Sequence, residues 1–195
     1  GTFRGLSGNL DRITQVEYVD QNPIGKSSRS NAVTYLKVYD DIRKLLSDQQ
    51  YAKLNGYTPS HFSFNIDGGR CPECQGEGFV KIGMQFMADV TMVCEACSGK
   101  RFKPDILEVR YKGMNIDDIL NMSVEEAISF FGSQDDLLAH RIAERLQPLV
   151  DVGLSYIKLG QSSSTLSGGE SQRVKLAYFL SMNDTVSKGK QQRIL

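Results

Sequence analysis

The chain has 195 residues, 40% of them hydrophobic and 24% charged. That composition allows one ordinary domain, or one domain with a small insert, and it excludes wholesale disorder. With 23 basic and 23 acidic side chains the formal net charge is zero, which excludes a uniformly basic nucleic-acid-binding surface but not a local basic patch. Charge is unevenly spread: residues 21–60 carry +3, 104–160 carry −5 and 161–195 carry +3, so a polyanion contact is expected to avoid 104–160. No apolar run approaches the ~18 residues of a membrane span, and no basic segment leads into an apolar stretch at the N-terminus. A cytoplasmic protein without membrane contact is expected. Gly1 and Leu195 read as cut ends, so the sequence reads as an excerpt of a longer chain.

In chain order, ITQVEYV at 13–19 alternates and is rich in β-branched residues, which predicts a strand. Asp20 to Gly25 hold turn residues and predict a loop. From Asn31, the spacing of Tyr35, Tyr39, Ile42 and Leu46 predicts one amphipathic helix, broken by Gly56 and Pro59. Leu107, Val109 and Tyr111 alternate with Glu108, Arg110 and Lys112, which predicts a half-buried strand. Ser123 and Glu126 have capping-box spacing before a helix that Gly132 stops. Leu138, Ile142 and Leu146 mark a further helical stripe. These stripes are read as core.

All four cysteines lie in two CxxC pairs, Cys71/Cys74 and Cys94/Cys97, with 19 residues between the pairs. Two residues between cysteines let a tight turn place both sulfurs on one tetrahedral ion, and this spacing is that of a four-cysteine zinc site. Gly76, Gly78 and Gly99 follow the pairs and permit the positive φ values of such turns. Disulfides suit a secreted chain, and a redox CxxC needs a single pair on a strand–helix junction. One structural Zn²⁺ on the four thiolates is therefore expected, with no open coordination position for catalysis. His61 and His140 have no partner at ligand spacing. Arg70, Lys81, Lys100, Arg101 and Lys103 are near in sequence. They either neutralise the thiolates or face a phosphate backbone; the residues alone favour neither.

Residues 165–177 read TLSGGESQRVKLA. Ser167 and Glu170 again have capping-box spacing, Val174 and Ala177 begin an apolar helix face, and Gly168 and Gly169 leave the first-turn N–H groups bare. Such a helix start is an anion site.

The LSGGE string resembles the signature motif of ABC-type ATPases. With VDQNPIGKSSRSNAVTY (19–35), FSFNIDGGRCPECQGEGF (62–79), CEACSGKRF (94–102) and DVGLSYIKLGQSSSTLSGGESQRVKLA (151–177), most of the chain resembles the UvrA family, the damage-recognising ATPase subunits of the bacterial excinuclease. The match is to the C-terminal half of that family.

The resemblance implies an α+β fold: a mostly helical signature domain with an inserted four-cysteine zinc β-ribbon. It implies that 1–20 form the edge of an ATP-binding lobe ending at the Q-loop, 21–70 and 104–195 form the signature domain, and 71–103 form the zinc insert. Gln21 is the implied Q-loop glutamine, and Ser167, Gly168, Gly169 and Glu170 the implied nucleotide-facing turn. Lys26, Arg29, Lys37, Lys100, Arg101 and Lys103 are the candidate DNA contacts. The implied cofactors are one Zn²⁺ here and ATP with Mg²⁺ in the intact protein. The implied partners are lesion-bearing double-stranded DNA, a second copy, and the excinuclease subunit UvrB. Gly25-Lys26-Ser27 resembles the end of a Walker A loop, but Asp20 stands where its first glycine belongs, and no aliphatic run leads into Asp-Glu. The chain by itself is expected not to hydrolyse ATP. Two other families share single features with the chain. Cys71-x-x-Cys74-x-Gly76-x-Gly78 matches a DnaJ-type zinc repeat, but LSGGE has no place there. A transporter ATPase lobe lacks a cysteine-rich insert.

Overall fold

The computed structural model describes residues 8, 16–25, 29–84 and 87–187, without the side chains of 87–89 and 183–187. Asn31 caps α1 (Ala32–Tyr35), its side chain accepting the Thr34 N–H at 2.8 Å. Lys37 then takes a left-handed conformation, φ 59, and α2 (Val38–Ser47) begins on a new axis. The single helix expected from Asn31 is thus two, because a left-handed residue cannot continue a right-handed ladder. α3 (Gln50–Leu54) ends before Gly56, φ 69, and a 3₁₀ turn, Pro59–Phe62, carries the chain back under α2.

β1 (Phe79–Met84) and β2 (Met87–Val93) form one antiparallel ribbon, with Val80 opposite Met92 and Ile82 opposite Val90. These four side chains share one face and are exposed, so among its described side chains the ribbon buries no core of its own. A lone two-stranded ribbon is marginal in water and needs a staple. Its neck is closed by the Arg70–Phe102 bridge and by the Lys103 N–H donating to the Gly69 carbonyl at 2.9 Å. Gly69 is required there, since a Cβ would lie 1.8 Å from the His61 carbonyl oxygen.

After the neck come α4 (Pro104–Leu107), α5 (Ile116–Asn121), α6 (Val124–Gly132), α7 (Leu137–Asp151) and α8 (Gly168–Ser187). The strand expected at 107–112 is not formed. Pro104 starts a helix in its place, and Lys112 and Gly113, both at positive φ, fold Tyr111 back onto Met114. Val109 and Tyr111 are buried while Glu108 and Arg110 are exposed, so the alternation reports burial without a ladder. In the strand expected at 13–19, residues 13–15 lie outside the described residues. Val16 to Val19 are unpaired in any strand, with Val16 and Tyr18 more than four-fifths exposed. The capping box at Ser123 and Glu126 and the stripe Ile142–Leu146 on α7 are present.

One core joins the helices: Ile42 and Leu46 of α2, Phe131 of α6, Ile142 and Leu146 of α7, and Val174 and Ala177 of α8. Phe64 and Phe102, both fully buried, extend it to the neck of the ribbon, their rings edge-on at 6.4 Å. α2 and α7 are also joined by charge. Asp41, 10% exposed at its side chain, accepts from Arg141 Nη2 at 2.5 Å and Arg145 Nη1 at 2.7 Å. Because both arginines are about half exposed, screening limits the gain. Asp41→Ala is expected to lower stability by ~1–2 kcal/mol in urea unfolding of the zinc-loaded chain, with unchanged zinc content.

Candidate zinc centre and nucleotide-facing turn

The two knuckles have the same backbone. After Cys74, Gln75, Gly76 and Gly78 have φ of 53, 82 and 83; after Cys97, Ser98, Gly99 and Arg101 have φ of 49, 80 and 71. Each knuckle is tied to the other: the Cys94 N–H donates to the Gly78 carbonyl at 3.0 Å, and the Cys71 N–H to the Arg101 carbonyl at 2.8 Å. The result is a local pseudo-twofold that brings the four sulfurs within 4.8 Å of one another, all buried. Cys71 and Cys94 Sγ are 3.9 Å apart, Cys74 and Cys97 Sγ 3.6 Å. Bonds of ~2.3 Å to a tetrahedral zinc place sulfurs ~3.8 Å apart, so the donor set fits that ion. The Gly78 N–H donates to Cys74 Sγ at 3.2 Å, the kind of contact that orients a thiolate ligand. Burial pushes the Cys97 thiol up to about 12 and raises Cys74 as well, while the Cys97 backbone N–H lowers Cys94. Only a cation at the centre makes four buried thiolates affordable.

The second site is the start of α8. Ser167 caps it: its Oγ accepts the Glu170 N–H at 3.2 Å, while Glu170 Oε2 accepts the Ser167 N–H at 2.8 Å and its hydroxyl at 2.9 Å. The Tyr156 hydroxyl donates to Glu170 Oε1 at 2.5 Å. That bond and those from Ser167 hold the Glu170 carboxyl below its usual range. The cap is therefore complete at neutral pH and is lost as pH falls through the depressed value. Gly168 and Gly169 are exposed, and nothing lies within 4 Å of a Cβ built at Gly169. The first turn is bare, as an anion site requires.

Gln21 lies against this turn, its Cβ 3.5 Å from the Cβ position of Gly168. Two side chains of α8 hold its segment there, and a third ties the same helix start to another loop. Gln172 Nε2 donates to the Val19 carbonyl at 3.0 Å, and Lys175 forms an ion pair with Asp20. Arg173 Nη1 donates to the Gly153 carbonyl at 3.1 Å from the other side of the helix start. Lys175 holds Asp20 below the usual carboxylate range, with Asn22 adding to the effect. None of Tyr156, Gln172, Arg173 or Lys175 was singled out from the sequence. The i, i+3 spacing of Gln172 and Lys175 on α8 is the one signal for them.

The six candidate DNA contacts scatter. Lys37 and Lys100 are exposed, and Lys103 is half-buried. Arg29 pairs with Glu77 at 3.3 Å and donates to the Gln75 carbonyl at 3.1 Å. Arg101 points inward, over the Phe64 ring and onto the Gly160 carbonyl. Lys26 lies outside the described residues.

No family model matches the chain. It is 52% identical over 187 residues to the UvrABC system protein A of Clostridium perfringens, covering 95% of this chain and 19% of that protein. It is 52% identical over 176 residues to the UvrABC system protein A of Helicobacter pylori, covering 90% and 18%. The crystal structure of UvrA2 from Deinococcus radiodurans superposes with a TM-score of 0.79 at 45% identity, over 89% of this chain and 21% of that one. The chain thus spans about a fifth of the length of these relatives. Matches of this extent take in both cysteine pairs and the LSGGE string together, which neither the DnaJ-type nor the transporter reading provides.

Chain prepared without chelator is expected to contain one zinc per molecule by elemental analysis. Cys74→Ser is expected to lose it and to unfold the ribbon between Gly69 and Lys103, while far-UV circular dichroism retains most of the helical signal. Absence of zinc from the unsubstituted protein defeats the assignment.

Proposed function

We infer, this chain being a segment of a UvrA-family protein, that it supplies the signature turn and a zinc module to an ATP-driven damage-recognition subunit of nucleotide excision repair. The observation that carries the reading is the meeting of Gln21 with the bare start of α8. The N–H groups of Gly168 and Gly169, and the Ser167 hydroxyl once it turns from Glu170, face the γ-phosphate of a nucleotide held by the Walker motifs of another lobe. There they stabilise the charge that develops in phosphoryl transfer. ATP and Mg²⁺ are bound by that other lobe. Gln21 senses the γ-phosphate or its metal, and its tether to Gln172 and Lys175 passes that state to α8. Zinc's part is structural: Cys71, Cys74, Cys94 and Cys97 hold it, and it fixes the ribbon.

The proposed partners are lesion-bearing double-stranded DNA, a second copy of the intact protein, and UvrB, in the cytoplasm. Recognition of diverse lesions favours reading of backbone shape over base edges. Of the six, Lys37 and Lys100 are exposed and suited to phosphate contact, and Lys103 is half-buried; Arg29 and Arg101 first have intramolecular acceptors to give up.

Two measurements test the reading. The chain alone is expected to show no ATP turnover above background, whereas in the intact protein Ser167→Ala should reduce kcat by ~10²-fold, the scale of one lost charge-stabilising donor. Turnover by the chain alone that disappears in Ser167→Ala sinks the division of labour between lobes. For DNA, Lys37→Ala with Lys100→Ala should weaken binding equally on all sequences and reduce the log–log salt slope by up to about two. An unchanged slope means these lysines are only solvated surface.

A further inference from the structure

At one symmetric position a glycine of the first knuckle is an arginine in the second. Seven residues after its first cysteine, each puts a carbonyl on the first-cysteine N–H of the other: Gly78 in one, Arg101 in the other. Both are left-handed, φ 83 and 71. Glycine adopts that conformation freely, and arginine does so only against steric resistance. At Gly78 a side chain is barred, because its Cβ would lie 2.8 Å from the Gly99 carbonyl oxygen. At Arg101 a side chain is kept despite the strain, and strain that persists points to a task for the group that bears it.

The guanidinium has two partners outside the zinc module. Its Cζ lies 5.9 Å from the centroid of the Phe64 ring, and Nη1 donates to the Gly160 carbonyl at 3.0 Å. Gly160 belongs to the loop between α7 and α8. It is held tightly: its N–H donates to the Leu120 carbonyl at 2.8 Å, and a Cβ there would lie 2.9 Å from Leu120 Cβ. Three residues on, the Ser163 N–H donates to the Ser30 carbonyl at 2.7 Å, and Ser162 bridges to Asn31. Four further residues reach Ser167.

The other knuckle grips the same region from the opposite end. Arg29, adjacent to Ser30, donates to the Gln75 carbonyl and pairs with Glu77. Knuckle two thus reaches the loop at Gly160 through Arg101, and knuckle one reaches it at Ser163 through Arg29 and Ser30.

We propose that Arg101 is a positioning residue that fixes the 160–166 loop, and through it the Ser167 turn, to the zinc module. It acts on the turn without touching nucleotide. Its consequence for ATP turnover rests on the proposed function above; its consequence for the loop does not.

Hydrogen exchange on the zinc-loaded chain separates the two. Arg101→Gly removes the side chain and relieves the backbone; Arg101→Met keeps the stem and removes the donors; Arg101→Lys restores a cationic donor. In Arg101→Gly and Arg101→Met, the amides of Ser163, Leu166 and Ser171 should exchange about tenfold faster with one zinc still bound, and Arg101→Lys should recover part of the protection. Wild-type exchange in zinc-loaded Arg101→Gly or Arg101→Met overturns the proposal. Should Arg101→Gly lose its zinc, Arg101→Met decides, since its backbone constraint is unchanged. In the intact protein, Arg101→Met should lower kcat about tenfold with KM for ATP changed less than about twofold, because the groups that bind ATP lie elsewhere. Faster exchange with unchanged kcat supports the positioning of the loop and defeats the nucleotide reading of Ser167.

Discussion

Four sulfurs packed within 4.8 Å of one another, out of contact with water, have two ways to exist. As thiols they are buried and nearly idle; as thiolates they repel, and only a cation between them makes the charge tolerable. The rest of the insert depends on that choice. Among its described side chains the ribbon carries exposed Val80, Ile82, Val90 and Met92 and no core, so its stability rests on the cysteine cluster, with the ion that cluster could hold, and on the neck. The neck in turn rests on Phe64 and Phe102, which belong to the helical core. Cysteine cluster, ribbon and helices therefore form one mechanical series and not two independent domains.

The start of α8 follows a different physics. There the constraint is the set of backbone N–H groups that a helix leaves without partners. Ser167 and Glu170 satisfy two donors reciprocally, and the two glycines leave the others open to an outside acceptor. Glu170 is held by Tyr156, and the extended segment carrying Gln21 is held by Gln172 and Lys175 of the same helix. One helix thus places both the turn and the residue beside it.

Charge is where local sequence and fold diverge most. Arg70 and Arg101 look in sequence like exposed cations beside a thiolate cluster and Arg29 like a free phosphate contact, yet each donates to an acceptor within the chain. Arg70 holds Asp67 and the Gln75 side chain, Arg29 the Gln75 carbonyl, and Arg101 the Gly160 carbonyl. Planar guanidinium with several donors suits such bracing, whereas Lys37 and Lys100, with compact hydrated ammonium groups, remain at the surface. Arg101 ties the cysteine insert to the helical domain at Gly160, and Arg29 ties the helical domain to the insert at Gln75.

The sequence by itself determined what is set by short spacing. Two CxxC pairs with following glycines specify a tetrahedral sulfur site, because tight turns and metal geometry are local. Ser123 with Glu126 and Ser167 with Glu170 specify helix starts, because a capping box closes within four residues. The stripe from Leu138 to Leu146 specifies a buried helix face. Tertiary structure alone decided what depends on distant partners. The alternation at 107–112 produced no strand, because Lys112 and Gly113 turn the chain before a partner is reached. The stripe from Tyr35 to Leu46 is split where Lys37 goes left-handed. Arg101 faces Gly160, 59 residues away, and Gln21 faces Gly168. A side chain's partner across that separation is fixed by the packing of whole elements, which no local pattern encodes.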